Sequence, residues 1–127
     1  MAKILIADDD PDAIEMLASA LKRYYQIIRC RDGEEALDKA MRLKPDLILL
    51  DLVMPKIDGA AVSLILKESQ ATRNIPVIFF TGHTHYPESM GLDESSVVLA
   101  KPVRIEELLK LVRKMMAGIP PRDSGAA

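Results

Sequence analysis

The chain has 127 residues, of which 49% are hydrophobic and 28% are charged. This length suits one domain with a single core, and the composition is ordinary for a globular protein. A formal net charge of -2 argues against capture of DNA or of an anionic membrane by overall charge. Because aromatic residues make up only 4% and tryptophan is absent, the core must be aliphatic.

Several features predict a cytoplasmic protein that is not bound to a membrane. The lone cysteine, Cys30, lies in an apolar run, so we expect a small buried thiol in a reducing compartment. The first residues do not have the pattern of a signal peptide, because the apolar run Ile4–Ala7 is followed at once by three aspartates. No apolar run approaches the roughly 18 residues that a membrane span needs.

The chain opens with a predicted buried strand over Ile4–Ala7, closed by the acidic triplet Asp8-Asp9-Asp10. Asp10 and Pro11 suit the cap and the first position of a helix. Apolar residues then recur at helical spacing, which predicts a first helix that runs to about Tyr24.

The next two elements lead to the centre of the predicted sheet. Gln26–Cys30 is predicted to be the second strand, and Asp32-Gly33 turns the chain into a second helix that ends at Lys44-Pro45. Leu47–Leu50 is an unbroken apolar run, as expected for a strand that is covered by helices on both faces. It ends abruptly on Asp51, where ligands usually bind in an open parallel sheet.

After this strand, Pro55 stops strand pairing, and Asp58 could cap a third helix that reaches about Gln70. Pro76–Phe80 is predicted to be the fourth strand, which ends on Thr81-Gly82.

Residues 83–96 contain few large apolar side chains, which predicts a short or irregular fourth helix. Val97–Ala100 is predicted to be the fifth strand and ends on Lys101-Pro102. The last helix carries its apolar stripe between Ile105 and Met116. We expect one domain over residues 1–117 and a flexible tail or linker over residues 118–127.

The alternation of strands and helices predicts an α/β fold with a parallel sheet between two helical layers. Four segments would bring polar groups to one edge of that sheet: Asp8 and Asp9, Asp51, Thr81, and Lys101. Taken singly, each could merely mark the end of a strand. Together, three carboxylates need a cation, and oxygen ligands favour Mg²⁺. With Lys101 and Thr81 nearby, the site would suit a phosphoryl group, which Asp51 could attack.

The chain resembles the receiver domain of two-component response regulators over about residues 3 to 117. The resemblance rests on motifs in the expected order: Asp8-Asp9, Asp51 with Met54-Pro55 and Asp58-Gly59, Thr81-Gly82, and Lys101-Pro102. It implies a flavodoxin-like (βα)5 three-layer sandwich with the strand order 2-1-3-4-5. It also implies a phospho-accepting signalling module, not an enzyme, whose acyl phosphate is slowly lost by Mg²⁺-dependent self-hydrolysis.

The resemblance further implies a role for each residue of the site. Asp51 would be the phospho-acceptor, Thr81 and Lys101 would contact the phosphoryl group, and the Lys101-Pro102 bond would be cis. The Mg²⁺ ligands would be Asp9, Asp51, the carbonyl oxygen of Val53, and Asp8 mainly through water. The implied donor is a sensor histidine kinase or phosphotransfer protein, and the implied target is an output protein or domain. A phosphorylation-dependent homodimer would also fit, whereas direct nucleic-acid binding is not expected of this domain.

The sequence departs from the family pattern in several places. Val98 stands where the family usually has an aromatic residue, and we interpret it as a core residue on its strand. Val53 and His83 occupy positions that line the path of hydrolytic water in this family, so we hypothesise that Val53 slows self-dephosphorylation. His83 and His85 could bind a transition metal, although paired loop histidines are more often solvated.

Two other functions compete with the receiver interpretation. A Mg²⁺-dependent phosphatase that works through an aspartyl phosphate would commonly carry a second carboxylate where this chain has Val53, and it would need a cap insertion. A receiver-shaped interaction module that no longer takes phosphate should lack one of the key Asp, Thr or Lys residues, and none is missing. The output could lie in a partner protein or in a longer regulator or hybrid kinase.

Overall fold

The computed structural model of the protein describes residues 1–82 and 97–117. Within these residues, the elements in chain order are β1 (Lys3–Ala7), α1 (Pro11–Leu21), β2 (Gln26–Cys30), α2 (Gly33–Leu43), β3 (Leu47–Asp51), α3 (Gly59–Glu68), β4 (Val77–Thr81), β5 (Val97–Ala100) and α4 (Ile105–Met116).

The strands form one parallel sheet in the order β2-β1-β3-β4-β5, which confirms the predicted topology. Leu5 is aligned with Ile28 on one side and with Ile48 on the other, so β1 lies between β2 and β3. Because all the strands run in the same direction, their carboxyl ends meet at one edge of the sheet.

The core lies in two layers because successive strand residues point to opposite faces of the sheet. Every residue of β3 is buried, as its apolar run predicted. One layer joins the sheet to α2 and α3 through Leu5, Ile48, Leu50, Ala36, Ala40, Val62 and Leu66. The other joins it to α1 and α4 through Ile4, Ile6, Leu49, Ile14, Leu17, Leu108 and Val112. This arrangement confirms the predicted three-layer sandwich.

Helices α1, α2 and α3 each follow the carboxyl end of a strand, and an aspartate caps each of them. The side chains of Asp10, Asp32 and Asp58 accept hydrogen bonds from backbone amides in the first turns of α1, α2 and α3, at 2.9, 2.8 and 2.8 Å. Each cap contributes about 1 kcal/mol to stability. The caps predicted at Asp10 and Asp58 are thus confirmed.

Several predicted boundaries were wrong by one to three residues; β1, β3 and β4 each include one residue beyond the predicted range, Lys3, Asp51 and Thr81. Helix α1 ends at Leu21, not near Tyr24, because the amides of Tyr24 and Tyr25 both donate to the Leu21 carbonyl and turn the chain toward β2. Helix α3 ends at Glu68, not near Gln70, because Ser69 has an extended backbone with ψ 132°. Pro76 lies just before β4, although its carbonyl still accepts a hydrogen bond from β3.

Some predictions fall on residues 83–96 and 118–127, which lie outside the described residues. They concern the short or irregular fourth helix, the roles considered for His83 and His85, and the carboxyl-terminal tail. The division into residues 1–117 and 118–127 also stays a prediction. Among residues 1–82 and 97–117, the structure contains no helix with the length and apolarity to span a membrane.

Candidate functional site at the carboxyl edge of the sheet

The polar residues predicted to meet do lie at one edge of the sheet. Asp8 follows β1, Asp51 ends β3, Thr81 ends β4 and Lys101 follows β5. The strand register brings these ends level, since Asp51 is aligned with Phe80 and the next residue of β4 is Thr81.

Three carboxylates form a cluster at this edge. Asp8, Asp9 and Asp51 each present an oxygen atom, and these atoms lie within 4.8 Å of one another. Asp8 and Asp51 are buried, with only 1% and 6% of their surface exposed, whereas Asp9 is exposed to solvent. The cluster is therefore open on one side and closed by protein on the other.

Lys101 supplies a positive charge to the cluster. Its ammonium nitrogen lies 2.7 Å from Asp8 Oδ2 and 3.3 Å from Asp51 Oδ2. The Lys101 amide donates to the carbonyl of Thr81 at 2.8 Å, which ties the start of the next loop to the end of β4. The Lys101-Pro102 peptide bond is cis, as the family resemblance implied.

Asp51 has an environment that disfavours its charged form. Burial raises the pKa of its carboxyl group, and the neighbouring charge of Asp8 raises it further. Lys101 and the amide of Val53, which donates to Asp51 Oδ1 at 3.3 Å, act in the opposite direction but do not cancel the increase. A bound cation would offset the same unfavourable charge, so the site is suited to hold one.

The charge of Lys101 is stabilised by its neighbours. Burial by itself would lower the pKa of the ammonium group. The hydrogen bond to Asp8 and the charges of Asp51 and Asp8 outweigh burial, so the pKa of Lys101 is raised. Lys101 therefore stays protonated at neutral pH.

Both oxygens of Asp8 already accept hydrogen bonds within the chain. Asp8 Oδ1 accepts from the amide of Asp10 at 3.0 Å, and Oδ2 accepts from Lys101. The Asp8 amide in turn donates to the carbonyl of Cys30 at 3.1 Å. Asp51 also accepts two hydrogen bonds, but both are 3.3 Å long, so the contacts that hold Asp8 are the shorter ones.

The backbone after Asp51 is closely packed. The amide of Gly59 donates to the carbonyl of Leu52 at 2.9 Å, and a side chain at position 59 would overlap the carbonyl oxygen of Asp51. The sequence predicted a turn and a cap at Asp58-Gly59 but did not reveal this approach. The glycine that opens α3 was the only local signal, and it is equally typical of a simple turn.

Of the other predicted site residues, Thr81 is buried beside Asp51 at the end of the adjacent strand. The side chain of Val53 is 52% exposed. Val98 is partly buried against the core, as interpreted from the sequence. Cys30 is fully buried, which confirms the predicted buried thiol, and burial raises the pKa of that thiol to about 12.

The carboxylate cluster has the chemistry of a site for a hard metal ion. All its side-chain donors are oxygen atoms, which Mg²⁺ and Ca²⁺ prefer. The spread of 4.8 Å is one that a single ion with ligands at about 2.0–2.6 Å could bridge after small side-chain rotations. The three residues could therefore hold a divalent cation.

The fold and the site together define a class of protein: a doubly wound α/β domain with an acidic, lysine-containing pocket at the carboxyl edge of its sheet. The family model of the response regulator receiver domain matches residues 4–113, and the chain belongs to this family. Members of this family are the phospho-accepting modules of two-component signalling systems.

Individual relatives agree with this membership. Protein PilH of Pseudomonas aeruginosa is 32% identical over 121 residues, which cover 93% of this chain and 100% of PilH. A probable cyclic di-GMP phosphodiesterase of Vibrio cholerae is 40% identical, but the match covers 80% of this chain and only 24% of that protein. The name of the second relative thus describes a whole protein of which this chain spans about a quarter.

Solved structures show the same fold. The receiver domain of a signal transduction histidine kinase from Syntrophus aciditrophicus superposes with a TM-score of 0.84 and 31% identity. The match covers 98% of this chain and 96% of that one. The flavodoxin-like architecture is therefore shared over nearly the whole length of both chains.

Proposed function

We propose that Asp51 accepts a phosphoryl group from a sensor histidine kinase or a phosphotransfer protein. The resulting acyl phosphate would shift the domain toward an active conformation that controls an output protein or domain. The observation that carries the proposal is the placement of the Asp51 carboxylate, in one cluster with Asp8 and Asp9 and 3.3 Å from the ammonium group of Lys101.

Mg²⁺ is the proposed metal ion. The geometry supports Asp9 and Asp51 as direct carboxylate ligands, and the family resemblance adds the carbonyl oxygen of Val53. The family resemblance gives Asp8 a role mainly through water, and its hydrogen bonds of 3.0 and 2.7 Å, shorter than the two of 3.3 Å at Asp51, support this. When bound, Mg²⁺ would neutralise negative charge on the phosphoryl oxygens and on the carboxylates.

The transfer itself is a displacement at phosphorus. An oxygen of the Asp51 carboxylate forms the new P–O bond while the P–N bond to the donor histidine breaks, and the electron pair of that bond stays on the imidazole nitrogen. The Lys101 ammonium group, already at the rim beside Asp51, pairs with the charge on the transferred group. The hydroxyl group of Thr81 donates a hydrogen bond to a phosphoryl oxygen.

The domain acts as a signalling phospho-acceptor and slowly hydrolyses its own acyl phosphate. It neither binds nucleic acid directly nor associates with membranes, and a phosphorylation-dependent homodimer is compatible with it. The cytoplasm is the proposed location, because a lone cysteine that forms no internal disulfide fits a reducing compartment.

The test is incubation with a small acyl-phosphate donor, with and without Mg²⁺, followed by intact mass measurement. We expect a gain of one phosphoryl group that depends on Mg²⁺ and is lost in Asp51→Asn. The matched control is Asp58→Asn, since asparagine caps a helix as well as aspartate does and Asp58 lies outside the carboxylate cluster. A mass gain that persists in Asp51→Asn would contradict the assignment of the acceptor.

A further inference from the structure

The loop between β3 and α3 is closed at its base and sharply turned at its tip. The Gly59 amide bonds to the Leu52 carbonyl at the base, and the Ile57 amide bonds to the Pro55 carbonyl at 2.9 Å near the tip. Lys56, at the tip, has a φ of 71°, which is unusual for a residue with a side chain. The loop carries the Val53 carbonyl and follows Asp51 directly, so its position decides where these groups lie.

The tip of this loop rests on the first residue of α2. A side chain at Gly33 would overlap the carbonyl oxygen of Ile57, and its Cβ atom would lie 2.9 Å from the Ile57 Cβ atom. Only a hydrogen atom fits between the two backbones. Gly33 therefore permits a direct contact between the α2 backbone and the loop that follows Asp51.

An ion pair lies next to this backbone contact. Lys56 Nζ is 3.5 Å from Oδ2 of Asp32, the residue immediately before Gly33. The other carboxylate oxygen of Asp32 accepts from the Glu35 amide at 2.8 Å, which caps α2. Glu35 Oε1 in turn accepts from the Arg31 amide at 2.6 Å, so the turn that meets the loop is held by its own hydrogen bonds.

The same turn is also connected to the other side of the carboxylate cluster. The carbonyl of Cys30, two residues before Asp32, accepts a hydrogen bond from the amide of Asp8. The segment that leads from β2 into α2 thus contacts both segments that carry the clustered carboxylates: its β2 end contacts Asp8 through Cys30, and its α2 end contacts the loop after Asp51 through Gly33.

The geometry points to the amino-terminal turn of α2 as the support that sets the spacing of the metal ligands, with Gly33 and the Lys56–Asp32 pair as positioning residues. This inference rests on the proposed function, because it takes Asp9, Asp51 and the Val53 carbonyl as the ligands. None of the three positioning residues belongs to the carboxylate cluster itself.

The direct test measures binding of Mn²⁺ as a probe ion, by the electron paramagnetic resonance signal of the free ion. Gly33→Ala should push the loop away from α2 and raise the Mn²⁺ Kd by about tenfold, as changes to groups that orient metal ligands commonly do. Ala40→Gly is the matched control, because it destabilises the same helix at a fully buried position near its carboxyl end, away from the turn that meets the loop. It should leave the Mn²⁺ Kd unchanged.

The ion pair provides a second test in which folding is not at risk. Asp32→Asn keeps the helix cap but removes the charge, and Lys56→Met removes its partner. Each should raise the Mn²⁺ Kd by about two- to fourfold. The double variant should have a Kd no higher than that of either single variant, because each single substitution already breaks the ion pair.

The outcomes separate this inference from the proposed function. If wild-type protein binds Mn²⁺ and Asp51→Asn binds it weakly, but folded Gly33→Ala has the wild-type Kd, the supporting role of α2 is overturned alone. An equal loss of affinity in Ala40→Gly at the same stability would also overturn it. If Gly33→Ala does not fold, wild-type affinity in both ion-pair variants overturns it. Failure of the wild-type protein to bind Mn²⁺ would contradict the proposed function itself.

Discussion

The ammonium group of Lys101 lies closer to Asp8 than to Asp51, at 2.7 Å against 3.3 Å. Its shorter contact is therefore with the carboxylate that is not the proposed acceptor. Asp8 is 1% exposed, and its other oxygen is held by the Asp10 amide. The lysine is thus held beside Asp51 by a buried partner that stays fixed, which keeps a positive charge at the place where the phosphoryl group would arrive.

Replacing this lysine should affect both stability and phosphorylation. In Lys101→Met, Asp8 would remain buried without its cation, and the metal-free protein should lose about 2 kcal/mol of unfolding free energy in urea. Loss of the charge should also lower the phosphorylation rate with an acyl-phosphate donor by about 100-fold. Lys110→Met is the control, because Lys110 is exposed on α4, and it should change neither quantity. Wild-type rates in Lys101→Met would refute the proposed role.

Asp51→Asn should stabilise the protein in EDTA at neutral pH, by about 1 kcal/mol, because it removes a charge from a buried cluster. The folded state raises the pKa of Asp51, so folded wild-type protein takes up this proton at a higher pH than the unfolded chain does. The stability of the wild-type protein therefore falls as the pH rises from the ordinary pKa of 3.8 to the raised pKa of folded Asp51. The stability gained in Asp51→Asn should be largest above the raised pKa and should vanish near pH 3.8. Thermal unfolding at several pH values measures this, and an advantage independent of pH would contradict it.

Val53→Asn should shorten the lifetime of the acyl phosphate. The side chain is 52% exposed two residues after Asp51, so an amide there can reach solvent and could hold the attacking water. One added hydrogen bond of about 1 kcal/mol corresponds to roughly fivefold in rate. Decay of the phosphorylated mass after removal of the donor measures the effect, and Val53→Ile is the apolar control. Equal decay in Val53→Asn and wild type would count against the hypothesis that Val53 slows self-dephosphorylation.

Gly59→Ala adds one methyl group and should lower the free energy of unfolding, measured in urea, by about 3 kcal/mol. The added carbon would overlap the Asp51 carbonyl oxygen, and moving α3 away would break the Gly59 bond to Leu52. Gly82→Ala is the control, since a side chain there would meet no atom of residues 1–82 and 97–117 within 4 Å. Comparable losses in the two variants would show that the close approach at Gly59 is not the cause.

The features that the sequence predicted depend on local or periodic signals. Asp10 and Asp58 were predicted as caps because a cap needs only its own helix turn. The meeting of Asp51 with Lys101 followed from the alternation of strands and helices, since parallel strands bring their carboxyl ends to one edge. Those signals place residues at an edge of the fold, but they do not give distances.

The features that the sequence missed depend on packing between distant segments. The preference of Lys101 for Asp8 is decided by sub-ångström placement of two loops 93 residues apart. The contact of Gly33 with Ile57 requires knowing how α2 meets the next loop, and a glycine after an aspartate is equally typical of a turn. The overlong prediction for α1 has the same origin, because Tyr25 continues the apolar spacing while the chain has already turned toward β2.

The burial of Cys30 makes this domain suitable for site-specific labelling with probes that report conformational change. With no surface exposed and a thiol that stays protonated at neutral pH, Cys30 should not react with maleimide or methanethiosulfonate reagents in the folded protein. A cysteine placed at an exposed site such as Met16 would then be the single labelled position, since the chain has no other cysteine. Fluorescent or spin probes could therefore be attached without first removing the native residue.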